Sequence, residues 1–245
     1  MPLHNTLTLG SDRALYLGHL PPTGWHCHAA PALLLGLSGR FALHRPGGRV
    51  DHCRSAVVDT GVEHLLDPCG EYVALVYLEP DACEALALRA LFVQAGPVLL
   101  DPVVHVPTRS GMEAYLRNFD LAALLPWKLS ATAPLDTRVA RSLQALRMAT
   151  AGGLPRDAAA QAVQLSASRL NHLFQQEVGV SYRSYRVWAQ VRAAMAALST
   201  QPSLTQAALE GGFADSSHFS HMFRNTFGMT PSSVLKPLRA VTVLS

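Results

Sequence analysis

The sequence of 245 residues predicts an α+β protein, in which a sheet-rich N-terminal part is followed by an all-helical C-terminal part. Short aliphatic runs separated by turn signals fill roughly the first eighty residues, which is the pattern of β-strands. From Leu135 onward, apolar residues recur at helical spacing, with breaks at glycine and proline. Hydrophobic residues make up 49% of the chain, so we expect a packed core rather than disorder.

The N-terminal runs predict a β-sandwich or a small barrel. They are bounded by turn signals such as Pro46-Gly47-Gly48. Short strands at this spacing are typical of both architectures. The expected strands are Ala14–Leu20, Ala32–Leu37, Arg40–His44, Ser55–Val58 and Tyr72–Leu78.

Two helices are expected after the strands. The first is Asp81–Ala95, with Asp81 suited to cap its N-terminus. The second is Ser110–Leu125, which Pro126 ends.

Composition and charge divide the chain near Ala131–Pro134, which we interpret as a linker between domains at residues 1–130 and 135–245. From Leu135 onward, eleven basic residues stand against five acidic ones, a net charge of +6. Because the whole chain carries +3, the remainder carries −3. A basic domain joined to an acidic one indicates a polyanionic partner for the basic domain, and ordinary surface charge is the alternative.

Targeting features are missing from the sequence. The N-terminus lacks a basic start followed by an apolar core, so it does not resemble a signal peptide. The most apolar stretch, Pro31–Leu37, is far shorter than the roughly 20 residues of a membrane helix. The cysteines show no CxxC spacing, and we expect no disulfide framework. The sequence therefore predicts a cytoplasmic protein that does not enter a membrane.

The segment from Leu204 to Phe227 predicts a helix-turn-helix unit. A short helix, Leu204–Leu209, is followed by the turn Gly211-Gly212-Phe213. Asp215 or Ser216 can cap the next helix, which runs to about Phe227. Its apolar stripe comprises Phe219, Met222, Phe223 and Phe227. Its opposite face is polar and carries no acid, as a helix that enters the major groove requires.

A second unit with the same plan precedes it. The short helix Asp157–Val163 leads through Gln164-Leu165 to a helix that Ser166 caps and Gly179 ends. The pattern of Leu170 and Phe174 recurs 49 residues later, which indicates duplication. Between the units we expect a long helix from Tyr182 to Leu198, about 25 Å long. The two recognition helices could then lie about one DNA turn, or ~34 Å, apart, so that one chain reads two successive major grooves.

The stretch from Leu204 to Pro231 resembles the C-terminal signature of the AraC/XylS family of transcription regulators. The matching positions are Gly212, Phe213, Ser217, Phe219, Phe223, Phe227, Gly228, Thr230 and Pro231, and in the first unit Ser166, Leu170, Phe174, Gly179 and Tyr185. The resemblance covers about residues 135–238, and one departure is Gln190, where the family usually has arginine. The alternative is a plain helical bundle whose phenylalanines serve only as core.

The resemblance assigns candidate DNA contacts by position. Base contacts are expected from Ser168, Asn171, His172, Ser217, His218, Ser220 and His221. Phosphate contacts are expected from Arg169, Gln175 and Arg224. Serine and histidine discriminate bases less than the bidentate pairing of arginine with guanine, so DNA shape and phosphate contacts are expected to contribute.

The motif Trp25-His26-Cys27-His28 predicts a candidate site for one divalent metal ion. Residues two apart on a strand share a face, so His26 and His28 project together, and His64 follows a glycine turn. The arrangement is similar to the cupin fold, which places HxH, a glutamate and a later histidine inside a barrel. Ala32 and Leu33 stand where the glutamate is expected. The substitutes in the sequence are Glu63, Cys27 and Cys69, and the alternative is a pocket that binds an organic ligand or none.

These features lead to the expectation of a ligand-responsive transcription regulator that is not an enzyme, with double-stranded DNA as its partner. The effector would be a small molecule or a metal in the barrel, and RNA polymerase is a further candidate partner if the protein is an activator. Related regulators form homodimers through helices after the barrel, whereas here these helices could merely cover it. The competing hypotheses are a cupin-type metalloenzyme fused to a DNA-binding module and a constitutive DNA-binding protein with a vestigial sensor.

Overall fold

The computed structural model describes residues 5–108, 120–126, 133–149, 153–200 and 203–244. Within them, the strands form a sheet of seven strands and a sheet of three. The strands are β1 Asn5–Leu9, β2 Arg13–Gly18, β3 Ala32–Gly36, β4 Phe41–Arg45, β5 Arg49–Cys53, β6 Ser55–Val58, β7 Leu65–Asp67, β8 Val73–Leu78, β9 Val98–Leu100 and β10 Leu238–Val243. All five predicted strands are present within a few residues, and β1, β5, β9 and β10 were not foreseen.

The large sheet has the order β10-β1-β2-β8-β3-β6-β9, and the small sheet has the order β5-β4-β7. Neighbouring strands are antiparallel except that β10 runs parallel to β1. The chain thus returns to the N-terminal sheet after the C-terminal helices. This last pairing joins segments from opposite ends of the sequence, so no local pattern announces it.

Strand β3 is buried along its entire length because the large sheet is covered on both faces. Leu34 packs between the two sheets, together with Phe41 of the small sheet. Leu33 and Leu35 point to the opposite face, toward the helices that follow the sheet. An unbroken apolar run without alternation is the expected signature of a strand buried on both sides.

Helix α1, Cys83–Ala95, covers that outer face with Ala85, Leu88 and Phe92. The prediction that Asp81 caps it is wrong: Ala82 occupies the N-cap position without a side-chain cap, and Asp81 pairs with Arg147 at 2.7 Å. The packing of α1 agrees with a helix that covers the sheet, and dimerisation through it stays a prediction.

The second predicted helix, Ser110–Leu125, lies mainly outside the described residues. Its end is described as the short helix α2, Leu121–Leu124, which Asp120 caps. The predicted linker, Ala131–Pro134, also lies partly outside the described residues.

The C-terminal part is helical, and its helix bounds follow the predictions closely. The helices are α3 Thr137–Met148, α4 Arg156–Ala162, α5 Ala167–Val178, α6 Tyr182–Ala197, α7 Leu204–Glu210, α8 Ser216–Phe227 and α9 Pro231–Leu235. Ser166 caps α5 and Asp215 caps α8, each by accepting a hydrogen bond from a backbone N–H of the first turn. None of the described helices is long and apolar enough to span a bilayer.

The N-terminal and C-terminal parts share one hydrophobic core. Buried Trp188 and partly buried Phe227 both pack against Tyr77 of β8, with ring centroids 5.5 and 5.6 Å apart. The core of the sheets is therefore continuous with the core of the helices.

Candidate DNA-binding helices and a buried histidine cluster

The two helix-turn-helix units are built alike, down to one backbone hydrogen bond. In the first, the N–H of Leu165 donates to the carbonyl oxygen of Ala160 at 2.9 Å. In the second, the N–H of Phe213 donates to the carbonyl oxygen of Ala208 at 2.9 Å. Ala160 and Ala208 are both buried where the short helix crosses the next one. This common turn is what the duplicated sequence pattern predicted.

The predicted DNA-facing side chains are mostly exposed on α5 and α8. Leu170, Phe174, Phe219 and Phe223 are buried on the inner faces, which sets the rotation of both helices. The exposed residues are Ser168, Arg169, His172, Gln175, Ser217, His218, His221 and Arg224. Their contacts with bases and phosphates stay predictions.

Asn171 and Ser220, two further predicted base readers, are half-buried and engaged within the protein. The Asn171 side-chain oxygen accepts a hydrogen bond from the backbone N–H of Tyr182 at 3.2 Å, and so helps to fix the corner between α5 and α6. The Ser220 hydroxyl donates to the carbonyl oxygen of Ser216 at 2.7 Å. The Asn171 amide N–H groups and the lone pairs of the Ser220 hydroxyl oxygen are not used in these two bonds.

Gln190, the departure from the family pattern, connects α6 to the second unit. Its side-chain amide donates to the carbonyl oxygen of Gly212 at 3.2 Å, in the turn between α7 and α8. Glutamine, which replaces the usual arginine of the family at this position, therefore makes a contact within the C-terminal part.

Arg192 lies in the contact between the N-terminal and C-terminal parts rather than on an outer surface. It pairs with Glu79, the residue after β8, whose side chain is 2% exposed. Glu79 also accepts hydrogen bonds from the Tyr185 hydroxyl at 2.6 Å and from the Trp188 indole N–H at 3.1 Å. Burial lowers the pKa of Arg192 to about 10. Sequence reasoning missed this cluster, because its acid and base are 113 residues apart.

His26, His28 and His64 come together in a buried cluster, as the sequence analysis expected. The backbones of His26 and His64 pair through two hydrogen bonds of 3.0 and 2.9 Å. One nitrogen from each ring lies within 4.8 Å of the other two. The three substitutes for a missing carboxylate ligand, Cys27, Glu63 and Cys69, are all exposed and lie outside this buried cluster.

Two of the rings are oriented by backbone carbonyl groups. His26 Nδ1 lies 2.9 Å from the carbonyl oxygen of Gly24, and His64 Nδ1 lies 2.9 Å from that of Val62. These contacts require a proton on Nδ1 and leave the Nε2 lone pair free. His28 Nε2 is buried without any hydrogen-bond partner. Burial lowers the pKa of His26 to about 4 and also lowers those of His28 and His64, so the rings are neutral at pH 7.

Neutral imidazoles with free lone pairs are the form in which histidine binds metal ions, and backbone carbonyls commonly orient such ligands. The three donors therefore fit one divalent transition metal ion. Among the described residues, this is the group of histidines, cysteines and acids that meets the geometry of a metal site.

The helical C-terminal part of the chain is similar in sequence to known proteins. Residues 159–237 match the model of a helix-turn-helix domain family. A segment of 101 residues is 35% identical to the arabinose operon regulatory protein of Escherichia coli strain K12, and 74 residues are 39% identical to that of Salmonella typhimurium. The C-terminal domain is an AraC-type helix-turn-helix domain.

The matches to the two arabinose regulators cover 40% and 30% of this chain. They span 35% and 26% of the regulators' own lengths, so the likeness concerns the AraC-type domain rather than the whole proteins.

The fold of the chain, across both its sheet-rich and its helical parts, is similar to that of ToxT from Vibrio cholerae. An apo ToxT structure superposes with a TM-score of 0.61 at 12% identity, over 94% of this chain and 99% of ToxT. A ToxT structure with bound unsaturated fatty acid gives a TM-score of 0.54 over 99% of both chains, at 12% identity. The AraC-type domain thus follows a sheet-rich N-terminal region in the same arrangement, and the cupin likeness of that region stays a prediction.

Proposed function

We propose that this protein is a ligand-responsive transcription regulator whose AraC-type domain reads two successive major grooves of duplex DNA. The observation that carries the proposal is the pair of units with the same turn hydrogen bond, joined by the single helix α6. Helix α6 has 16 residues and is therefore about 24 Å long. Units packed at its two ends would bring the recognition helices to about one DNA turn, ~34 Å, from each other.

The exposed faces of α5 and α8 support binding to a polyanion. They present Arg169 and Arg224 among uncharged polar side chains. His172 and His221 are exposed in the middle of these faces and offer hydrogen bonds to base edges.

The test begins with selection of bound duplexes from a random pool by the full-length protein, followed by footprinting. We expect two protected major grooves within about 20 bp. His172→Ala and His221→Ala should each weaken binding about tenfold, at different half-sites. His52→Ala, an exposed histidine on β5, is the matched control and should leave affinity unchanged. Protection of a single groove would contradict the reading of two grooves.

Salt dependence gives a second measurement of the same proposal. Replacing one phosphate-contacting arginine should reduce the slope of log affinity against log salt by about 0.9. We therefore expect a shallower slope for Arg169→Ala and for Arg224→Ala, with all selected sequences weakened alike. An unchanged slope would remove these residues from the phosphate contacts.

A hydrophobic carboxylate is one candidate effector. Structures of ToxT hold an unsaturated fatty acid or an aryl-substituted butenoic acid. In this chain an apolar cavity of about 50 Å³ lies between β-strand residues such as Tyr16 and Tyr77 and helical residues such as Trp188 and Phe223. That volume accommodates only one or a few water molecules, so a fatty acid would have to separate the two parts. Calorimetric titration with oleate tests this candidate, and absence of binding excludes it.

The enzyme alternative, a cupin-type metalloenzyme fused to a DNA-binding module, has less support. The matched relatives are named as operon regulators. In the described part of the chain, the candidate metal site consists of three histidines and contains no carboxylate. RNA polymerase and a second copy of the chain remain partners that an activator of this kind would use.

A further inference from the structure

The histidine cluster is formed by two loops, which we call the histidine platform and define as residues 23–28 and 59–64. The first loop carries His26 and His28, and the second carries His64. Besides the backbone pairing of His26 with His64, the N–H of Gly61 donates to the carbonyl oxygen of His28 at 2.8 Å. The two loops are thus connected to each other at the cluster.

The first loop of the platform holds the end of the second recognition helix. The N–H of Gly24 donates a 2.6 Å hydrogen bond to the carbonyl oxygen of Gly228, which ends α8. The rings of His28 and Phe227 are 5.9 Å apart. A Cβ atom at Gly228 would stand 2.8 Å from His26 Nδ1, so the cluster and the helix end are in direct contact.

The second loop holds the end of the first recognition helix. A Cβ atom at Gly179, which ends α5, would stand 3.3 Å from the Cβ of Thr60. A Cβ atom at Gly61 would stand 3.3 Å from Val180 Cγ1 and 3.4 Å from the Gly179 carbonyl oxygen. Each loop of the platform therefore contacts a different recognition helix at the same position, its C-terminal glycine.

Metal binding would change the distances between the three ring nitrogens. In a tetrahedral site, metal–nitrogen bonds of about 2.0–2.1 Å place the donor atoms about 3.4 Å apart. The donor atoms of the cluster lie within 4.8 Å of one another, so the contraction would be at most of the order of an ångström. Since backbone hydrogen bonds of 2.8–3.0 Å already join the two loops, this contraction would turn the three rings toward the ion and shift the loop residues that carry them.

We propose that His26, His28 and His64 bind one divalent transition metal ion, and that this ion sets the spacing of the two recognition helices through the platform. The metal is then the effector of the regulator, so the second half of the inference rests on the proposed function. Imidazole ligands without carboxylates favour zinc, nickel, cobalt or copper over magnesium or calcium. Three protein ligands leave a fourth coordination position, which a water molecule would fill.

Metal binding by the three histidines is tested without DNA, by titrating metal-free full-length protein with cobalt(II) and recording its visible absorption. We expect one equivalent of cobalt with the absorption of a tetrahedral site, displaced by zinc. His28→Gln should lose binding, whereas His44→Gln, a half-buried histidine on β4, should retain it. His64→Cys should keep binding and gain a thiolate-to-cobalt charge-transfer band, which a role in folding alone would not produce. Failure of the folded wild-type protein to bind an equivalent of cobalt or zinc overturns the proposal.

The coupling between the bound ion and the spacing of the recognition helices is tested with DNA duplexes. In these duplexes, the two selected half-sites are separated by spacers that differ by one or two base pairs. With zinc, the wild-type protein should change its preferred spacer, or change its affinity for the best one by at least about tenfold. His28→Gln should bind DNA identically with and without zinc. If metal binds but spacing and affinity stay unchanged, the coupling is wrong. If no duplex is bound in either state, the proposed function fails, while the metal result stands by itself.

Discussion

The hydroxyl of Tyr185 donates a 2.6 Å hydrogen bond to the carboxylate of Glu79, although 106 residues separate them. Together with Arg192 and Trp188, it places a charged cluster in the contact between the sheets and the linker helix α6. A buried carboxylate is costly unless it is paired and hydrogen-bonded, and here both conditions are met. The cluster therefore fixes how α6 lies on the N-terminal part.

Removing one member of this cluster should destabilise the protein. Glu79→Ala leaves Arg192 buried without its partner, so we expect a loss of about 3–5 kcal/mol in the free energy of unfolding. Urea denaturation measures this loss, and Glu63→Ala, an exposed acid, should stay within about 0.5 kcal/mol of wild type. The double change Glu79→Leu/Arg192→Met should recover only part of the loss, because it removes both charges of the pair but leaves the Tyr185 hydroxyl and the Trp188 indole without their acceptor. Equal effects of Glu79→Ala and Glu63→Ala would contradict the burial of the pair.

The second helix-turn-helix unit should depend on Phe219 and not on His221. Phe219 is fully buried, and its ring packs 5.3 Å from Phe213 and 5.7 Å from Phe223. Phe219→Ala should therefore cost about 3–5 kcal/mol and expose the amides of α8 to hydrogen exchange. His221→Ala is the matched exposed change on the same helix and should leave exchange unaltered. The reverse order would show that the rotation of α8 is wrong.

The helix-turn-helix units could be predicted from the sequence because their signals are local. Ser166 and Asp215 cap helices within three residues of themselves, and Gly179 and Gly228 end them in the left-handed conformation. The convergence of the histidines was accessible through the HxH spacing and the glycine turn at Gly61.

Contacts between distant segments could not be predicted in this way. The pairing of β10 with β1, and of Arg192 with Glu79, depends on how the two parts pack together. Asp81 shows the same effect, since its role as a helix cap gives way to an ion pair with Arg147. Asn171 was predicted to contact a base, because the sequence does not show that its side chain accepts a hydrogen bond from the backbone N–H of Tyr182. That bond forms only when α5 and α6 meet at their corner.

Stability of the metal-free protein should decrease in mild acid. Burial holds the pKa of His26 at about 4, below the value of 6.5 expected for the unfolded chain. Between these values the unfolded state binds more protons, so stability is fully present above pH 6.5 and is lost as pH falls toward 4. At 1.36 kcal/mol per pKa unit, His26 alone contributes about 3 kcal/mol to this loss. Urea midpoints at pH 7.5, 6, 5 and 4 with chelator measure it, and His26→Gln should flatten the dependence relative to His44→Gln.

Gly228 should be required for the contact between the platform and the second recognition helix. Its φ of 68° is left-handed, and an added Cβ would stand 2.3 Å from the carbonyl oxygen of Gly24. Gly228→Ala therefore combines a backbone cost of about 1–2 kcal/mol with a clash that pushes α8 away from the first loop. Gly70→Ala is the matched control, because Gly70 has a φ of 79° with no atom within 4 Å of the added Cβ.

The difference between these two alanine variants isolates the clash from the backbone cost. We expect Gly228→Ala to be the more destabilised in urea, and to show faster hydrogen exchange at residues 23–28 and in α8. Gly70→Ala should lose only the backbone contribution and keep exchange at the platform unchanged. If both variants lose the same stability and show the same hydrogen exchange at the platform, then Gly24 and Gly228 are not in contact in solution. The platform would then not fix the position of the second recognition helix, whether or not its histidines bind metal.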